Sequence, residues 1–254
     1  MPLVETSGAN LWFADHRRDK SATASIVIHG AGGSHLSFSK RLRQSAIVNS
    51  VCVDLSGHGK SQGAGRRSIS AYVGDVVALL NALSIDAARI IGHSMGGAIA
   101  QCLALQHRER ARGLVLIGTG ARLKVNPQLI TGALEDRDAI IESLTRWMWS
   151  KNASAEMREH SEKIMRQTPP AVIAGDFIAC DRFDVREQLD EIACPTLVIA
   201  GENDKMTPGA LSQELAERIP MSELVLVPGG SHMTMLEDSE MVVAAIVDWI
   251  ERNQ

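Results

Sequence analysis

Ser94 lies in Arg89-Ile90-Ile91-Gly92-His93-Ser94-Met95-Gly96-Gly97-Ala98, where a short apolar run passes directly into a small-residue helical one. A serine on so tight a strand-to-helix turn presents its hydroxyl clear of the backbone, and glycines two residues before and after let the flanking segments approach closely. The chemistry open to such a hydroxyl is attack on an acyl carbon, provided a base stands beside it, because a free hydroxyl is a weak nucleophile. Five residues spell an ordinary glycine-serine turn just as well. Three further groups suited to that chemistry stand elsewhere in the chain: His29-Gly30-Ala31, Asp204 and His232.

A scaffold must bring these groups together, and apolar periodicity outlines one. Ala9 to Asp15 reads as an edge strand at the N-terminus, and Ser25 to Ile28 as a short buried parallel strand that stops at glycines. Ile47 to Leu55 gives the next strand. Tyr72, Val73, Val76, Val77, Leu80 and Leu83 recur at helical spacing, which predicts a helix from about Ser70 to Leu83 leading into the strand before Ser94. Ala98 to Leu105 is apolar almost all round, as a helix buried behind Ser94 should be. Further strands are expected at Gly113 to Ile117, Pro195 to Ala200 and Glu223 to Val227, with a helix opened by Pro208 and ending near Pro220, and an amphipathic closing helix carrying Val242, Val243, Ile246, Val247 and Ile250. Between Gly118 and Leu189 the alternation breaks into three helical stretches, Asp138 to Trp149, Ser154 to Gln167 and Ala171 to Ala179. The expected fold is α/β: a mostly parallel central sheet flanked by helices, with an inserted helical cap. The core would comprise residues 1–120 and 190–254, the cap 121–189.

Composition narrows the function classes. The 254 residues are 45% hydrophobic and 22% charged, enough for one substantial α/β core, and the net charge is −4. Arg17-Arg18 and Arg66-Arg67 are isolated pairs, too few to follow a phosphate backbone, so nucleic acid is not an expected partner. Cys52, Cys102, Cys180 and Cys194 lack Cys-x-x-Cys spacing and read as reduced, packed thiols. Met1 to Gly8 shows no basic start followed by an apolar run, and no apolar stretch reaches the ~18 residues of a membrane span; a cytoplasmic protein is expected. Gly59-Lys60-Ser61 imitates the end of a phosphate-binding loop, but Asp54 stands where its first glycine belongs. Gly30 to His35 begins like a dinucleotide fingerprint and lacks its last glycine, and no metal-ligand spacing is present, so neither a cofactor nor a metal is expected.

Ligands of an open parallel sheet gather outside the carboxyl ends of its strands. Four such ends carry His29-Gly30-Ala31, Ser94, Asp204 and His232, in the chain order nucleophile, acid, histidine. The chain resembles the α/β-hydrolase family along its whole length: His29-Gly30, Asp54-x-x-Gly57-x-Gly59-x-Ser61, Gly92-x-Ser94-x-Gly96-Gly97, Gly201-x-x-Asp204 and Gly230-x-His232 each fall at a strand end. The resemblance implies Ser94 as nucleophile, His232 as general base, and Asp204 as the acid that holds the histidine tautomer. Glu202, Asp181, Asp184 and Asp238 match the acid's place less well. It also implies an oxyanion hole of two backbone N–H groups, those of Met95 and Ala31, with Gly32 as the substitute second donor. His93 is expected to turn away from Ser94 by strand alternation, and His29 to brace the glycine loop. Ser34 and His35 either face the pocket or cap the next helix, and Asp54 and His58 belong to a turn that supports architecture.

Gly32, Trp147, Met148, Trp149, Met165, Phe177 and Met233 are the candidate pocket residues, facing a small-molecule substrate with an apolar acyl or alcohol group; packing accounts for the cap residues among them as well. Trp147 and Trp149 lie two apart on one helix, so both cannot share its core face. These features lead to a serine hydrolase acting on a small carboxylic ester. A carbon-carbon bond hydrolase, lactonase, thioesterase or perhydrolase with the same triad, or a small-molecule receptor on an intact scaffold, are the alternatives, and oligomeric state is open.

Overall fold

The computed structural model describes residues 3–254; Met1 and Pro2, the start of the segment read for a leader, lie outside them. Eight strands form one sheet: β1 (Leu3–Thr6), β2 (Ala9–Asp15), β3 (Ser25–Ile28), β4 (Ser50–Val53), β5 (Ala88–His93), β6 (Ala111–Ile117), β7 (Thr196–Gly201) and β8 (Ser222–Val227). Their spatial order is β1-β2-β4-β3-β5-β6-β7-β8, antiparallel for the first two pairings and parallel for the rest. Every residue of β3, β4, β5 and β7 is buried, as befits parallel strands covered on both faces.

Alternate residues of a strand feed two separate cores. Ile26, Ile28 and Ile90 pack beneath α2 (Ile69–Ala82) and α3 (Met95–Gln106), whereas Val27 and Ile91 pack against the other face. There they meet Phe38 and Leu42, around the short α1 (Lys40–Arg43), and Ile246 and Trp249 of the C-terminal helix. One short run of β-branched residues thus anchors both helical layers.

Four helices are inserted between β6 and β7: α4 (Pro127–Glu135), α5 (Arg137–Met148), α6 (Ala155–Gln167) and α7 (Pro170–Asp181). Ala133, Ile141, Leu144, Met165, Ile173 and Phe177 give this insert an apolar centre of its own. Its two ends meet, because Val185 N–H donates to Ala121 C=O at 2.9 Å and Arg122 bridges to Asp184. The chain then runs through β7, α8 (Gly209–Arg218), β8, the short α9 (Thr234–Glu237) and α10 (Ser239–Arg252). No helix among the described residues is long and apolar enough to cross a membrane.

Three elements differ from expectation. β1 lies outside β2, so Ala9–Asp15 is not the edge. The strand expected from Ile47 starts only at Ser50, since Asn49 has a φ of +51° and cannot continue an extended run. α4 is a fourth cap helix; its start was written in Asn126-Pro127, the Asn126 side chain accepting from Gln128 N–H and proline occupying the first turn.

Candidate active site

β5 ends at His93 and α3 begins at Met95, which leaves Ser94 to make the whole reversal. Its φ of +53° and ψ of −116° are strained for a residue with a side chain, costing about 1–3 kcal/mol. The surroundings hold it there: Ser94 N–H donates to Ile117 C=O, and its own carbonyl accepts from Gly97 N–H and the Thr119 hydroxyl, each at 2.9 Å. A β-carbon at Gly92 would run into the Gly96 carbonyl, and one at Gly96 into the Ile28 carbonyl. Although Ser94 sits at the N-cap of α3, its side chain makes no capping bond, so Oγ is uncommitted. Met95 N–H is in the first turn, with no intrahelical acceptor, at the positive end of the helix dipole.

His232 follows β8, and its Nδ1 lies 2.9 Å from Asp204 Oδ2. Both residues are buried, and Asp204 also accepts from Met206 N–H (2.8 Å), Thr207 N–H (2.9 Å) and the Thr207 hydroxyl (2.7 Å). Burial alone would raise the Asp204 carboxyl, but the His232 ring and these donors outweigh it and hold it down at about 2. A carboxylate on Nδ1 keeps the proton there and leaves Nε2 as the ring's acceptor. The acids matched less well are engaged elsewhere: Glu202 accepts from Gly229 N–H, Asp181 from Val125 N–H, Asp184 pairs with Arg186, and Asp238 caps α10.

His93 does not turn away as strand alternation implied, because the left-handed residue after it breaks the alternation. Its ring lies 4.7 Å from that of His232, and its Nε2 donates to the His232 carbonyl at 3.0 Å. Burial, with the His232 ring beside it, pushes its pKa down to about 3, so it is a neutral prop under the histidine loop.

The glycine loop after β3 is braced from below by His29. Nδ1 donates to Gly30 C=O at 2.8 Å while Nε2 accepts from Leu55 N–H at 3.0 Å, which fixes a neutral tautomer; burial lowers its pKa to about 4. Gly33 N–H donates to the same Gly30 carbonyl, and Ala31 N–H has no acceptor among the described residues. Ser34 caps the following turn, and His35 pairs with buried Asp54 at 2.8 Å rather than facing a pocket.

Ser94, His93 and His232 open into one cavity of about 790 Å³, lined also by Ala31, Trp147, Met148, Met165, Phe177 and Met233, a size suited to a small organic molecule. Two expected pocket residues are elsewhere. Trp149 packs in the core against the sheet, because α5 ends at Met148 and the extended backbone of the next residue swings the indole away; Trp147 stays in the cavity wall, 55% exposed. Gly32 is packed under Ile173 and Met165, and its N–H donates to Asp176 at 2.9 Å, so it is not available as a second oxyanion donor.

Thr207, Asp176 and Thr168 escaped the sequence reading. Thr207 stood three residues beyond Asp204, the spacing of a side chain that folds back on an aspartate turn. Nothing near Asp176 or Thr168 marked them, since their partners lie far off in the chain.

The family described as serine aminopeptidase, S33, matches residues 21–239. The 2-hydroxymuconate semialdehyde hydrolase of Pseudomonas putida is 26% identical over 247 residues, covering 89% of this chain and 86% of its own. Among solved structures, a thermophilic esterase superposes with a TM-score of 0.83 at 30% identity, over 99% of this chain and 97% of its own. Est816, an N-acyl homoserine lactone degrading enzyme, superposes with a TM-score of 0.85 at 26% identity, over 96% and 98%.

Proposed function

The chain belongs to the α/β-hydrolase family and is a serine hydrolase of that fold, and from this premise we propose that it cleaves a small carboxylic ester through an acyl-enzyme on Ser94. The observation that carries this reading is the meeting, at one cavity, of an uncommitted, strained Ser94 with a His232 whose Nδ1 is held by Asp204. His232 Nε2 takes the Ser94 proton as Oγ adds to the carbonyl carbon, and the oxyanion is received by the N–H groups of Ala31 and Met95. The tetrahedral adduct expels the alcohol, protonated by His232. Water, deprotonated by the same nitrogen, then attacks the acyl-enzyme and releases the acid and free serine.

Leu129, Leu144, Met165 and Phe177 give the cavity an apolar wall for an acyl or alcohol group. Lys124 and Lys205, both exposed, also line it and have no ion-pair partner among the described residues, whereas Arg122 and Arg186 share Asp184; one carboxylate, Glu214, stands in the lining against these four cations. An ester whose solvent-facing end is anionic suits this lining better than a neutral one.

A panel of short and medium p-nitrophenyl esters, with and without a terminal carboxylate, tests both parts. Release of nitrophenol that vanishes in Ser94→Ala is the expected result, with the carboxylated members showing the lower KM and losing that advantage at high salt. Silence across the panel would sink the esterase assignment. A fluorophosphonate that left Ser94 unmodified in folded protein would remove the nucleophile.

A further inference from the structure

Gly32 is gripped on both sides by the cap. Its N–H donates to Asp176 Oδ2 at 2.9 Å from α7, and its carbonyl accepts from the Thr168 hydroxyl at 3.2 Å, just before α7. The residue before it is Ala31, whose N–H has no acceptor among the described residues. The peptide that carries that N–H is fixed through Gly30 C=O by His29 and Gly33; the peptide that follows it ends on the N–H held by Asp176. One side of the loop is thus set by the core and the other by the insert.

Asp176 is a costly choice for such a grip. It is fully buried, and besides Gly32 it accepts from Tyr72 OH at 2.5 Å and from His58 Nε2 at 2.8 Å. His58 Nδ1 stands 3.0 Å from Ser56 C=O, so both ring nitrogens face acceptors and the imidazolium satisfies both. Burial opposes that charge, and the Asp176 carboxylate overcomes it, lifting the His58 pKa. A buried ion pair of this kind is seldom worth more to stability than well-packed apolar residues, so its presence calls for a role other than holding the cap down. Three core segments, the glycine loop, the turn after β4 and α2, converge on this one cap carboxylate.

We infer that Asp176 is a positioning residue for the oxyanion site: through Gly32 it sets the orientation of the Ala31 N–H, so that the insert, and not the core alone, makes the glycine loop competent. The inference rests on the reading of Ser94 and Ala31 given above. Asp176 touches no reacting atom. Its effect belongs in the stabilisation of the tetrahedral adduct and not in the binding of a neutral ground state.

The test compares wild type with Asp176→Asn and Thr168→Val, each rate divided by the concentration of serines that react to completion with fluorophosphonate. Expected for Asp176→Asn is a fall in kcat of roughly 10- to 100-fold, with KM within about twofold and with weaker inhibition by an alkyl boronic acid, which forms a tetrahedral adduct on serine. Thr168→Val should shift kcat and boronate affinity in the same direction by a smaller factor. Unchanged kcat per titrated site and unchanged boronate affinity in Asp176→Asn would overturn the inference; if that variant does not fold, the same result in Thr168→Val overturns it. A wild type that fluorophosphonate fails to label overturns the serine reading and the inference with it, whereas a labelled wild type with equally fast variants overturns the inference alone.

Discussion

His232 Nδ1 and Asp204 Oδ2 stand 2.9 Å apart where neither side chain is more than 3% exposed, and three further donors converge on the same carboxylate. The charge on Asp204 is therefore fixed in place before any substrate arrives, and so is the tautomer of the ring it faces.

Asp204→Asn keeps the shape of this contact and reverses its logic, because an amide donating to Nδ1 puts the ring proton on Nε2. Ester turnover should fall by roughly 10³- to 10⁴-fold with KM little changed. Steady-state kinetics on purified protein check this, and a loss below tenfold would remove Asp204 from its assigned role.

Thr207→Val deletes the hydroxyl that reaches Asp204 at 2.7 Å and lies 3.2 Å from His232 Nδ1. Losing a charge-assisted bond inside a buried group should lower stability by about 1–3 kcal/mol. The carboxylate, with one donor fewer, should also titrate at a higher pH than in wild type. Urea unfolding near neutral pH, and the loss of stability on acidification between about pH 5 and 2, taken on the same preparation, provide the two readouts.

The two cap tryptophans should part company on truncation. Trp149→Ala empties a core site and should cost about 3–5 kcal/mol, whereas Trp147→Ala should stay within about 1 kcal/mol and change KM for the bulkier esters. Calorimetry separates the first effect, and an ester series of graded chain length the second. Equal melting temperatures for the two variants would contradict their placement.

The buried histidines give opposing pH dependences. His29 and His93 are depressed in the folded chain, to about 4 and about 3, so their contribution is complete above the ordinary histidine value of about 6.5 and is lost as pH falls towards those values. His58 is raised, so its contribution is complete below about 6.5 and is lost as pH climbs through its folded value. The groups facing it are Asp176 from α7, Tyr72 from α2, His29 beyond the end of β3, and Asp54 after β4. Urea melts of wild type and His58→Gln between pH 5 and 9 should show the largest stability gap at the acid end, narrowing as pH rises. A gap that widened with pH would reverse the assigned charge.

Much of the fold was legible because the sheet's code is short range. Ile26, Val27 and Ile28 announce a buried strand wherever they stand, Gly92 and Gly201 fall in the last two residues of β5 and β7, and Gly230 stands three residues past β8. Ser94, Asp204 and His232 could be proposed from those positions, since a parallel sheet delivers its strand ends to one edge. Asp176 could not, because its partner Gly32 lies 144 positions away with no local pattern linking the two, and an aspartate inside an apolar helix states no partner. Trp149 was misplaced by a single residue: the helix stops at Met148, and apolar periodicity does not resolve that stop. α4 was available from Asn126-Pro127 and needed only the capping rule.

The clasp of Ala121 with Val185 has a consequence for inheritance. An insert whose two ends leave and re-enter the sheet side by side can be exchanged for another without disturbing any strand, so the neck alone would make the lid a replaceable module. The grip on Gly32 removes that freedom. A transplanted lid that closed the same neck but brought no acid to the place of Asp176 would yield a folded chimera that accepts substrate and turns it over poorly. Lineages that trade lids would then be expected to carry the acid along or to reinvent it.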